Sequence, residues 1–140
     1  MSGEPGLALI HAALAKSPAP VTLRVAYSGG RDSHALLHWL AGERAAFAPH
    51  RLRAVHVDHG LNADSARWAV HCAAVCAALD VPLDIHRVDA RPAPGESPEA
   101  AARAARYAAL ASDMQDGDLL LIAHHQGDQA ETVLLALLRG

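Results

Sequence analysis

Two stretches near opposite ends of the chain carry residue types that can do chemistry. The first is Ser28, Gly29, Gly30, Arg31, Asp32 and Ser33. The apolar residues 23–27 before it read as a buried strand, and residues 34–40 after it read as the start of a helix. Strand, glycine turn and helix in that order aim free backbone N–H groups at an anion. The glycines can take positive φ and leave room for a ligand to approach the backbone. Ser28 and Ser33 add hydroxyls, and Asp32 adds a carboxylate suited to a metal ion beside a phosphate. The stretch lacks the Gly-x-x-x-x-Gly-Lys-Ser/Thr spacing and the Gly-x-Gly-x-x-Gly spacing, so neither of those phosphate-binding loops is present.

The second stretch is His124-His125-Gln126-Gly127-Asp128-Gln129-Ala130-Glu131-Thr132. Asp128 and Glu131 stand at i and i+3 in the first turn of a helix expected over residues 128–138, on one face. The helix dipole favours their anionic form there. Such a pair can bind an ammonium group, hold a metal, act as a base, or simply cap the helix. His124 and His125 have no third ligand at a zinc spacing; a phosphate or general-acid contact suits His124 better. A third cluster, Arg103 and Arg106, falls near one face of an alanine-rich helix, where a solvated basic surface is the plain alternative.

The elements that must position these residues follow from composition and pattern. The chain has 140 residues, enough for one domain with a core. Half of it is apolar and only 4% aromatic, which favours closely packed helices on a sheet. A first helix is expected over residues 7–16 and ends at the proline pair Pro18 and Pro20. Strands are expected at 22–27, 52–57, 83–88 and 119–123, and helices at 33–46, 65–79, 97–114 and 128–138. In the 65–79 helix, Trp68, Cys72, Val75 and Leu79 fall on one apolar face. The order is a helix followed by four βα units, which calls for an α/β fold: a doubly wound parallel sheet with helices on both faces. In such sheets ligands bind beyond the carboxyl ends of the strands. The polar clusters at 28–33, 58–60, 89 and 124–131 all fall at such ends.

Net charge is −3 with histidine neutral, so no overall basic field invites nucleic acid. Cys72 and Cys76 lie four apart in a helical pattern, a geometry that disfavours a mutual disulfide. No apolar run reaches ~18 residues, and no signal peptide is expected. A cytoplasmic location fits.

Five segments in order carry a specific likeness: VAYSGGRDS, LRAVHVDHGLN, AVHCAAVCAALDVPL, EAAARAARYAAL and AHHQGDQAETVLLALLRG. The first resembles the pyrophosphate loop, SGGxDS, of the ATP-pyrophosphatase superfamily, whose fold is adenine-nucleotide alpha-hydrolase-like. Together, over about residues 22–140, the segments resemble the N-terminal catalytic domain of the tRNA(Ile)-lysidine synthases; the final segment discriminates within the superfamily. The resemblance implies ATP and Mg²⁺, with tRNA(Ile) bearing a CAU anticodon and L-lysine as partners. It implies adenylation of the wobble cytidine at its C2 oxygen, release of diphosphate, attack by the lysine amine, and loss of AMP. It assigns Ser28, Gly29, Gly30, Arg31, Asp32 and Ser33 to ATP, with Asp32 as metal ligand. Asp128 and Glu131 match positions for lysine binding or proton removal, and Arg106 one that positions the cytidine or the lysine carboxylate. The turn at 57–60 is expected near the adenosine.

Two positions, Arg31 and Gly127, vary from or within the motifs and receive no firm role. The family's enzyme is longer, so residues 1–140 are expected to be a single N-terminal ATP-binding domain lacking the last strand and the C-terminal tRNA-binding modules. That would leave one sheet edge unfinished. Such a piece is expected to bind ATP but to modify tRNA poorly, and a second copy of the full-length protein is a candidate partner. Rival readings are a tRNA thiolase of the same superfamily and a nucleotide-binding module without chemistry.

Overall fold

The pleat of strand β1 (Thr22–Ala26) divides the core in two. Leu23 and Val25 point to one face and Thr22, Arg24 and Ala26 to the other, as alternation requires. The computed structural model describes residues 3–17, 19–60, 63–89, 91–125 and 133–139. After α1 (Gly3–Leu14) and β1 come α2 (Arg31–Gly42), the short α3 (Arg44–Phe47), β2 (Arg51–Asp58), α4 (Ser65–Leu79), β3 (Leu83–Arg87), α5 (Pro98–Ser112), β4 (Leu119–His125) and β5 (Val133–Arg139).

The sheet order is β3-β2-β1-β4-β5. Strands β1 to β4 are parallel, with Val25 opposite both Ala54 and Leu121. The chain steps outward through α2 and α4, then crosses back through α5 to the far side of β1. Right-handed crossovers therefore put α5 on the opposite face from α2 and α4. The burial follows: Leu36, Leu40, Cys72 and Cys76 pack with Leu23 and Val25, while Leu110 packs with Ala26 and Val55. This is the doubly wound α/β fold, and its direction of winding reverses between β1 and β4.

One element departs from expectation. Residues 133–139 form a strand antiparallel to β4, with Leu121 opposite Leu137 and His125 opposite Val133, where the pattern suggests a helix over 128–138. The unbroken run Val133-Leu134-Leu135-Ala136-Leu137-Leu138 has no period to separate the two states. Pairing with β4 satisfies edge N–H and C=O groups that the sequence reading leaves open.

Helix ends are set locally. Ser97 Oγ accepts from the Ala100 N–H at 3.1 Å, and Pro98 and Glu99 suit the first turn of α5. Helix α4 closes through Asp80 at φ 56°, with the Val81 N–H reaching Cys76 O at 2.9 Å. Arg44 donates to the carbonyls of Ala41, Leu79 and Asp80, tying the end of α4 to α3. No helix among the described residues is long and apolar enough to cross a membrane.

Candidate nucleotide site at the strand ends

The turn between β1 and α2 holds its shape by its own hydroxyls. The Ser28 N–H donates to Ser33 Oγ at 3.1 Å, and the Gly30 N–H donates to Ser28 Oγ at 3.2 Å. The two hydroxyls lie 3.0 Å apart, and Ser33 Oγ also donates to Gly30 O at 3.3 Å. Gly30 is the N-cap of α2, and no side chain caps that terminus. An α-helix begins with N–H groups that lack intrahelical acceptors. Together with the positive end of the helix dipole, they make this turn an anion seat.

Gly29 is the one position here that demands glycine. Its φ is +87°, and a Cβ added there would stand 2.9 Å from Trp68 Cε3 and 3.2 Å from Cys72 Sγ. The first turns of α4 therefore pack directly on the loop.

Beneath the loop the backbone is pinned to β2. The Tyr27 N–H donates to Val55 O at 2.8 Å, and buried His56 uses Nδ1 to hold Tyr27 O at 2.9 Å. The Tyr27 hydroxyl meets His34 Nδ1 at 3.2 Å, and burial raises its pKa to about 12. Burial, with Cys76 nearby, likewise raises Cys72 to about 11, and burial raises Cys76 to about 11. Both cysteines are free and buried, so they are neutral thiols near pH 7 and poor nucleophiles.

Two hollows adjoin the loop. One, of about 400 Å³, opens over the ends of β1 and β2 and is lined by Tyr27, Ser28, Asp58, His59, Trp68 and Arg106 among others. The second, of about 450 Å³, is lined by Ser28, Gly30, Asp32, Ser33, Arg106 and Ala123 among others. It sits at the β1/β4 reversal, where a doubly wound sheet offers a ligand crevice. Ser28 and Arg106 line both. Among the described residues the Arg106 guanidinium has no hydrogen bond or ion pair, whereas Arg103 lies over the Tyr107 ring at 5.2 Å. The two arginines thus part: Arg103 serves the helix surface and Arg106 the hollows.

Asp58 accepts from the Gly60 N–H at 2.9 Å and stands 3.8 Å from Arg87 Nε, which fixes the 58–60 turn. His59 Nδ1 is buried beside it without a hydrogen-bond partner among the described residues. Asp89 is exposed and clamped by Arg91, whose hydrogen bonds lower its pKa; it belongs to its own loop.

The loop residues and Arg106 are thus brought together as expected. His124 is the next-to-last residue of β4, and its side chain lies outside the described set, as do Gly127, Asp128 and Glu131. Asp32 stands in the first turn of α2 and lines the second hollow, and its carboxylate is a hard oxygen donor of the kind that suits Mg²⁺. Among the described residues no group of three His, Cys, Asp or Glu side chains could hold a metal by itself. Sequence reasoning missed His56 and Trp68 as site neighbours. Their signal was positional: both lie close to the carboxyl end of β2.

The chain belongs to the PP-loop domain family, whose profile matches residues 9–140. Among curated proteins it is similar to the tRNA(Ile)-lysidine synthase of Alkalilimnicola ehrlichii, 57% identical over 116 residues, 83% of this chain and 26% of that protein. The tRNA(Ile)-lysidine synthase of Xanthomonas campestris pv. campestris is 53% identical over 128 residues, 89% of this chain and 28% of that protein. That of Methylococcus capsulatus is 50% identical over 119 residues, covering 85% and 27%. The chain spans little more than a quarter of the length of these relatives.

Proposed function

We propose that residues 1–140 are the ATP-binding catalytic part of a tRNA(Ile)-lysidine synthase, acting within a longer protein in the cytoplasm. The observation that carries the reading is the convergence of the 28–33 loop and Arg106 on two adjoining hollows at the strand ends. The names of the relatives support tRNA modification by a PP-loop domain, and the steps below are those that the sequence resemblance implies.

In this reading the hollow over β1 and β2 takes the adenosine and the loop takes the phosphates. Backbone N–H groups at the start of α2, residues 31–33, and the Ser28 and Ser33 hydroxyls bind phosphate oxygens. They are fixed before the ligand arrives, so they stabilise charge that grows on the departing diphosphate. Asp32 would hold Mg²⁺, which when bound withdraws negative charge from the phosphates. Arg106, reaching both hollows, orients the cytidine or the lysine carboxylate.

The wobble cytidine O2 bonds to the α-phosphorus of ATP as the α–β anhydride breaks, and diphosphate leaves. The lysine side chain arrives as an ammonium and must lose a proton before it attacks. Asp128 and Glu131 are assigned to bind it and accept that proton, and His124 to a phosphate or acid contact. The lysine nitrogen then bonds to C2, the C2–O bond breaks, and AMP departs with the oxygen.

The neutral thiols at Cys72 and Cys76 speak against a thiolase, which would need a thiolate. ATP–diphosphate exchange and lysine transfer by the longer protein test the assignments. Asp128→Asn and Glu131→Gln should depress lysine transfer; unchanged exchange and transfer in both would remove their roles and favour a binding module.

A further inference from the structure

Trp68 is out of place for a core residue. Its helical neighbours at +4 and +8, Cys72 and Cys76, are buried, yet the indole is 49% exposed. Its six-membered ring packs on Gly29, and His71 meets it edge-on with ring centroids 5.6 Å apart. The ring is thereby held in place beside the nucleotide loop while lining the hollow over β1 and β2. A large apolar surface fixed in position at the wall of a cleft is suited to a flat ligand group.

We propose that Trp68 positions the bound nucleotide: one edge braces Gly29, and its uncovered surface forms the wall against which the nucleoside rests. This rests on reading the adjoining loop as the ATP phosphate seat. The division of labour follows from placement. The loop binds phosphates whatever nucleoside they carry, and Trp68 favours a triphosphate that carries a base.

Two probes separate the parts: ATP, and inorganic tripolyphosphate, each titrated with Mg²⁺ into the 140-residue chain by calorimetry. Trp68→Ala should weaken ATP about tenfold, the scale of a lost aromatic–base contact, and change tripolyphosphate by less than about twofold. Trp68→Phe keeps an aromatic face and should hold ATP within about threefold of the original chain. In a Trp39→Phe background Trp68 is the sole tryptophan, and its emission should change with ATP but not with tripolyphosphate. Equal weakening of both probes in Trp68→Ala would show that the indole only braces the loop and would overturn the proposal. Unchanged ATP affinity in both Trp68 variants would overturn it as well. An original chain that binds tripolyphosphate and not ATP would overturn the ATP reading itself, and this inference with it.

Discussion

The molecule keeps two groups of charged and polar residues close to β1, and they are treated in opposite ways. Toward the amino ends of the strands, Asp118 is 2% exposed and fully used: Oδ1 accepts from the Thr22 N–H at 2.9 Å, and Oδ2 accepts from the Gln115 N–H at 2.9 Å and from Arg24 Nε at 3.4 Å. Arg24 also stands 3.7 Å from Asp84, which Arg53 grips with two nitrogens. At the carboxyl ends the hydroxyls bond within their own loop, the helix terminus has no side-chain cap, and Arg106 faces open space. Paired charge at one end holds strands together. At the other end the solvent-facing N–H groups at the start of α2 and the Arg106 guanidinium are left available to an anion.

That contrast can be broken most sharply at Asp118. Asp118→Ala strands the Arg24 charge and two N–H donors, and should cost about 3–5 kcal/mol in urea unfolding, with ATP affinity of the folded fraction unchanged. Arg106→Ala should do the reverse. Stability should stay within about 0.5 kcal/mol, while lysine transfer by the longer protein falls about 10- to 100-fold, the scale of a lost hydrogen bond to a charged group. Equal losses in both properties for both variants would erase the distinction. Gly29→Ala should fall between them, costing about 1–2 kcal/mol for the left-handed backbone and displacing Trp68 from the loop. It should be the one change of the three that lowers melting temperature and ATP affinity together.

The smallest effect concerns acid. The Arg53 hydrogen bond, then the charges of Arg53, Arg24 and His86, lower the pKa of Asp84 below its ordinary value. Its contribution is present above the unfolded-chain value of about 3.9 and is lost as pH falls through the lower folded value. Urea midpoints for Asp84→Asn should therefore fall less steeply than those of the original chain over that acidic range. Parallel curves would remove Asp84 from the paired set.

Much of this was legible in the residues. The Ser-Gly-Gly turn after an apolar strand announced an anion loop, because only glycine tolerates Gly29's φ and the packing above it. Ser97-Pro98-Glu99 marked the start of α5, and the helix over residues 65–79 was read with its observed bounds. The last element was misread, since the apolar run 133–138 suits a helix or a strand and only the edge of β4 decided between them. Trp68 was read as core because helical spacing places it with Cys72; spacing does not reveal that the first turn of α4 rises beside an open cleft. Arg103 and Arg106 looked equivalent on one helix face until Tyr107 took the first and the hollows took the second.

In the proposed function the 28–33 loop powers lysine transfer to tRNA. Its most direct test supplies the longer protein with ATP, radiolabelled lysine and tRNA(Ile) bearing a CAU anticodon, alongside its Asp32→Ala variant and the 140-residue chain. ATP-dependent label is expected in the tRNA with the longer protein, and little or none with Asp32→Ala or with the 140 residues alone. No label from the longer protein, or equal label from Asp32→Ala, would contradict it.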